Sequence, residues 1–246
     1  MNDRDVIKGF VDYLKDNGHP SLEVDQWPED QNRDSKEIDA IAGDFAIEHT
    51  SIDTLPDQRR NSDWFMKAVG GLEQELSNSL NFRLRITLEY QAVKKGQNWS
   101  FIRNALKNWI ITGASLLEDG DHVLDRIPGV PFRLHVGKES SRRPKVLFSR
   151  FDPGDDTLSD RIREQLLGKA NKLLKYQGTG KTTLLLVESE DIALMNELKM
   201  LAAIRKAFPG GPPPGVDQVW YADTSIPREI LFRDFSKLLP VRGALI

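Results

Sequence analysis

The chain has 246 residues, 39% of them hydrophobic and 29% charged, the make-up of a folded globular protein and not of a disordered one. No apolar run approaches the roughly 18 residues needed to span a bilayer, and zero cysteines exclude a disulfide framework, a thiolate nucleophile and a cysteine zinc site. The net charge of −3 is unevenly spread: residues 1–57 hold 15 acidic against 5 basic groups, and residues 58–246 hold 22 against 29, so the total does not argue against a polyanionic partner.

The opening Met1-Asn2-Asp3-Arg4-Asp5 lacks the basic flank and apolar stretch of a secretory signal, so the cytoplasm is the expected location. Val6, Ile7, Phe10, Val11 and Leu14 recur at helical spacing, and Gly18 and Pro20 end that helix. A short strand is expected within Leu22–Trp27, before the polar stretch Pro28–Lys36. Two alternating segments follow, Glu37–Ala42 and Phe45–Ile52, joined by Gly43-Asp44. Asp57–Leu80 reads as one helix on Trp64, Ala68, Leu72 and Leu76. Arg83–Tyr90 alternates as a strand, and Asn98–Leu117 is helical on Ile102, Leu106 and Ile110.

Pro131–Val136 and Lys145–Phe151 read as a strand pair around a basic turn. Thr157–Tyr176 is helical, and Leu184-Leu185-Leu186-Val187 within Thr182–Glu188 has the continuous apolarity of a buried central strand. Asp191–Phe208 reads as a helix and Val216–Asp223 as a strand. Between these two lies Pro209-Gly210-Gly211-Pro212-Pro213-Pro214-Gly215, a loop because prolines cannot donate ladder hydrogen bonds. The expected class is α/β (α+β), a mixed central sheet flanked by helices. A single domain over 1–246 is favoured over a split near residue 120.

The chemistry concentrates between Glu37 and Thr50. Gly-Asp between two alternating runs signals a two-residue hairpin in which Gly43 supplies the positive φ of a type II′ turn. Its register sets Ala42 opposite Phe45, Ala40 opposite Ile47, Asp39 opposite Glu48 and Glu37 opposite Thr50. Alternation puts Glu37, Asp39, Ile41, Ala46, Glu48 and Thr50 on one face, with Ile38, Ala40, Phe45 and Ile47 on the other. Two carboxylates about 4.5–5.5 Å apart at Cβ repel, and a divalent cation such as Mg²⁺ would offset that. An acidic face relaxed by water or a nearby arginine is the alternative.

This stretch, with the helix before it, Ile38-Asp39, Phe45-Ala46-Ile47-Glu48-His49-Thr50 and the helix and strand after, resembles the PD-(D/E)XK nuclease superfamily over roughly residues 1–90. The resemblance implies a restriction-endonuclease-like core of a mixed sheet between helices, with residues 91–246 as an elaboration. It also implies Mg²⁺ (or Mn²⁺) held by Asp39, Glu48 and the backbone carbonyl of His49, with DNA as the substrate. Glu37 would assist through water. The family's lysine is replaced by Thr50, which supplies no positive charge, so Lys67, Arg59 or Arg60 would have to stand in for it at the catalytic site. The function implied is a metal-dependent deoxyribonuclease. The alternative is an inactive module of the same fold that binds DNA or a protein partner, a second copy of itself included.

Basic residues favour contact with phosphates. Arg133–Arg150 carries six basic residues and one acid, with Arg142, Arg143 and Lys145 at the turn, and Gln91–Leu117 carries Lys94, Lys95, Arg103 and Lys107 with no acid. Gly178-Thr179-Gly180-Lys181-Thr182-Thr183 ends like a phosphate-binding loop. It lacks the first glycine, which is Lys175 here, and it leads from a helix into a strand instead of the reverse. His19, His49, His122 and His135 show no ligand spacing, so zinc is not expected. Trp99, Trp109, Trp220 and Tyr221 fit core packing better than base stacking.

Overall fold

Asn2 opens the first helix, α1 (Asp3–Asp16), by accepting from the Asp5 N–H at 3.0 Å, while the Asp5 carboxylate accepts from the Asn2 N–H. This reciprocal cap satisfies two donors that a helix start leaves open. Val6, Ile7, Phe10, Val11 and Leu14 are its buried stripe. The computed structural model of the chain describes residues 2–31, 37–191, 193–226 and 229–240. The polar stretch after Trp27 contributes a short helix, α2 (Pro28–Gln31), and its residues 32–36 lie outside the described residues.

Strands β1 (Val24–Gln26), β2 (Ala40–Ala42) and β3 (Phe45–Ser51) form an antiparallel meander. The hairpin has the register read from the sequence: Ala40 pairs with Ile47, Ile41 with Ala46 and Ala42 with Phe45. Gly43 has φ +49° and Asp44 is not left-handed, the signs of a type II′ turn. Asp25 accepts from the Gly43 N–H at 2.7 Å and Lys181 donates to its carbonyl at 2.7 Å.

Residues 56–154 form a compact unit of their own, inserted into the chain of the other. Its elements are α3 (Gln58–Val69), α4 (Leu72–Ser77), β4 (Arg83–Leu88), α5 (Trp99–Thr112), β5 (Gly120–Leu124), β6 (Leu134–Glu139) and β7 (Lys145–Arg150). The strand order is β5-β6-β4-β7. Two expectations are corrected here. The helix expected over Asp57–Leu80 breaks at Gly70-Gly71, where Gly71 has φ +79°, a conformation glycine adopts at little cost. The expected pairing of the strands around the basic turn does not form, because β4 lies between β6 and β7 and pairs with both. Leu84, Ile86 and Leu88 of β4 are fully buried, which suits the inner position.

The first unit resumes with α6 (Leu158–Leu173), β8 (Thr182–Ser189), α7 (Glu197–Ala207), β9 (Gln218–Asp223) and β10 (Leu231–Asp234). Its sheet runs β1-β2-β3-β8-β9-β10, with β3, β8 and β9 parallel. Leu185 and Val187 of β8 pack with Ala46 and the apolar stripes of α6 and α7. Leu184 and Leu186 pack with Ile47 and α1 on the other side. A strand covered on both faces must be apolar at every position, which explains the run seen in the sequence. The helix expected over Asp191–Phe208 starts only at Glu197, capped by Asn196, and residue 192 lies outside the described residues.

The chain is therefore mixed α/β, with a six-stranded and a four-stranded sheet and helices beside them. Gly178 (φ +77°) and Gly180 (φ +82°) turn the chain from the end of α6 into β8. Among the described residues no helix is long and apolar enough to cross a membrane.

Candidate functional site

β3 presents alternate side chains to the two helical layers, and both layers meet it with charged groups. On the α6 side, Glu48 is fully buried. Its Oε1 lies 2.7 Å from Lys169 Nζ and 3.0 Å from Lys172 Nζ, both on α6. Its Oε2 is buried with no hydrogen-bond partner among the described residues. Asp39 stands where the β2–β3 ladder ends, and its Oδ2 accepts from the His49 N–H at 2.6 Å. A side chain thus takes up a backbone donor at the frayed end of the hairpin.

Burial pushes the Glu48 carboxyl above its usual range, and the charge on Asp39 pushes it further; Lys169 and Lys172 pull it back without cancelling the rise. Burial likewise raises Asp39, against the pull of Lys169, the His49 N–H and Lys172. Burial works against the charged form of Lys172, yet Glu48, Asp39 and Glu29 outweigh it and hold the ammonium above its ordinary value. Asp39 thus works against the charged form of Glu48, and two lysines beside Glu48 oppose that effect within the protein. A cation is therefore not required to explain how the pair coexists.

The remaining expected residues divide between the two units. Glu37 lies at the same edge and pairs with Lys175 at 2.9 Å. Glu29 pairs with Lys172 at 3.3 Å. Thr50 is buried on the Glu48 side, and its Oγ1 accepts from Gln165 Nε2 at 2.6 Å, while the same amide donates to the Ser51 carbonyl at 3.0 Å. One face assignment is corrected. Ile38 packs with Ala46, α6 and α7 rather than with Ile47, because the chain bends at Asp39 before the strand begins and alternation does not extend through a bend.

Arg59, Arg60, Lys67, Arg142, Arg143 and Lys145 all belong to the Pro56–Gly154 unit. Arg60 pairs with Asp57 and lies over the Trp64 ring. Lys67 pairs with Asp63 at 2.6 Å and lies over Trp99, and Arg142 pairs with Glu139 at 2.7 Å. The positive charge beside Glu48 comes instead from Lys169 and Lys172, which the sequence reading missed. Gln165, Lys169 and Lys172 follow one another at helical spacing beside the apolar stripe of α6, and that spacing was the available signal. Of the aromatic residues considered for base stacking, Tyr221 is buried against Phe235 and Trp220 packs edge-on to Phe10.

On the α1 side of β3, the His49 side chain is 2% exposed. Its Nε2 is 3.0 Å from Glu188 Oε2 on β8, and its Nδ1 is 3.8 Å from Asp3 Oδ1 in the first turn of α1. These three residues could hold a metal ion, one ligand atom from each lying within 4.8 Å of the others. Residues 3, 49 and 188 are too far apart in the chain for any motif to have shown them. Comparison of the chain with protein-family models, curated protein sequences and solved structures finds no match.

Proposed function

We propose that this chain is a divalent-metal-dependent nuclease that hydrolyses phosphodiester bonds in DNA, with Asp39 and Glu48 as the residues that hold Mg²⁺ or Mn²⁺. Glu48 carries this reading: a buried carboxylate with one oxygen lacking any partner among the described residues and the other facing two ammonium groups. A hard cation fits an all-oxygen donor set of this kind, and the unpartnered Oε2 is the atom left to bind it. When bound, such an ion activates water and stabilises charge on a phosphodiester.

The chain's own groups supply the rest. Lys169 places beside Glu48 the positive charge that Thr50 cannot, positioned to stabilise negative charge building on a phosphate oxygen. Lys172 and Glu29 form the neighbouring pair, and the His49 N–H fixes the Asp39 carboxylate. Gln165 ties Thr50 and Ser51 to α6 and so keeps the lysines in register with β3.

A second reading draws on the same lysines. Because they neutralise Glu48 without a metal, the chain would be a nuclease-fold module that binds DNA or a protein partner and does not cut. One experiment separates the two: the purified chain is incubated with linear, circular and single-stranded DNA, with and without Mg²⁺ or Mn²⁺. Cleavage is expected only with metal. It is expected to be lost in Asp39→Asn and Glu48→Gln and to fall by roughly a hundredfold or more in Lys169→Met, the scale for removing one charge-stabilising donor. Cleavage that survives both carboxylate substitutions overturns the assignment. DNA binding that ignores EDTA, with no cleavage, establishes the second reading.

A further inference from the structure

We propose that Asp3, His49 and Glu188 form a second metal site, on the face of β3 opposite Glu48, which takes a first-row transition ion of the Zn²⁺ class. Its donors differ in kind from those of Asp39 and Glu48. Imidazole nitrogen with carboxylate oxygen suits Zn²⁺ and its neighbours and does not suit Mg²⁺, which prefers oxygen and water. The two faces of one strand thus offer two chemically distinct donor sets, and the ion preferred by one is not the ion preferred by the other.

The buried part of the site is already organised. His49 is 2% exposed, and its Nε2 lies 3.0 Å from Glu188 Oε2 without the geometry of a hydrogen bond. Glu188 is also buried, and the Thr224 hydroxyl donates to its Oε1 at 2.5 Å. That contact holds the carboxylate with Oε2 turned to His49, the kind of outer contact that orients metal ligands. β3 and β8 are hydrogen-bonded neighbours with Ser51 opposite Glu188, so the sheet fixes the spacing of both inner ligands.

Asp3 is the exposed member. Its side chain is 80% exposed on the first turn of α1. Bonds of about 2.0–2.2 Å in a tetrahedral shell put ligand atoms about 3.4 Å apart. The approaches of 3.0 and 3.8 Å are to different ring nitrogens of His49, of which one ion takes a single one. With one ligand atom from each residue the three lie within 4.8 Å of one another, so the exposed Asp3 side chain would move in to close the site. The ion would join the start of α1 to the two central strands, with water completing its shell.

The test is calorimetric titration of the full chain with Zn²⁺ in the presence of excess Mg²⁺, together with a crystal structure using anomalous scattering at the zinc edge. One site is expected, with density between the three side chains and a raised melting temperature. Asp3→Asn and His49→Gln are each expected to weaken Zn²⁺ binding at least roughly tenfold. Asp39→Asn is expected to leave it unchanged, which keeps this site separate from the one proposed for cleavage. Asp3 is exposed, so its substitution tests the site even if His49→Gln fails to fold. Zinc affinity equal to wild type in Asp3→Asn, loss of binding in Asp39→Asn, or density elsewhere overturns the proposal.

Discussion

Glu48 is where burial and charge conflict most openly. A carboxylate whose pKa is raised in the folded state favours folding most when protonated, so its contribution is full below the ordinary carboxylate range and is lost as pH rises through the folded value. Asp39 and Glu48 are both raised by burial. In EDTA, the urea-unfolding free energy of the unit that carries them should therefore fall as pH climbs from about 4.5 towards neutrality. Glu48→Gln, which mimics the protonated acid and does not titrate, should flatten that fall. Parallel pH profiles for the two proteins would show that Glu48 is not under this stress. Adding Mg²⁺ should restore stability at neutral pH in wild type and not in Glu48→Gln, because ligands of the folded state stabilise it by mass action.

Among the elements, the β2–β3 hairpin and α6 between them set the site. Gly43 has φ +49°, and a Cβ there would lie 2.8 Å from Leu22 Cδ1. Gly43→Ala should cost about 1–2 kcal/mol from the left-handed backbone alone, with the contact to Leu22 adding to it. A thermal or urea melt measures the loss, and a variant as stable as wild type would mean the turn has relaxed and the register of Ala40 against Ile47 is not held here. This hairpin was legible in the sequence because a Gly-Asp turn fixes register locally, within ten residues. The apolar stripe of α6 was legible for the same reason, a period of 3.6. What α6 does with its polar side was not: Lys169 meets Glu48 across more than a hundred residues of chain, and no local period encodes that contact. The same limit hid the place of β4 between β6 and β7 and the strands β5 and β10, whose partners are distant or whose runs are short.

At the scale of the whole molecule, the first unit is assembled from two separated stretches of chain, and Arg161 joins them. Its guanidinium donates to the carbonyls of Asp53 and Thr54 at 3.0 and 2.7 Å and to the Asp155 carboxylate. Thr54 donates in turn to Asp191 at 2.7 Å. The two ends of the insertion are thus held together by the unit from which it departs. A chain in which residues 56–154 are replaced by a short Gly/Ser linker should fold with a single cooperative transition and keep the β1-β2-β3-β8-β9-β10 sheet, as read by circular dichroism and amide exchange. Arg161→Met in that shortened chain should cost about 1.5–3 kcal/mol, the worth of hydrogen bonds from a charged donor. A shortened chain that collapses without order would show that the insertion supports the sheet.

An insertion at this point also imposes a timetable on the ribosome. Asp39 and Glu48 emerge early, then roughly a hundred residues of the inserted unit follow, and only afterwards do the lysines and the strand that covers β3. At about 5–20 residues per second, the acidic hairpin waits on the order of 5–20 s for its cations, with one strand edge open to solvent. A chain released prematurely during that interval carries both acids and neither ammonium group, so the fragment exposes a carboxylate pair that the finished fold neutralises.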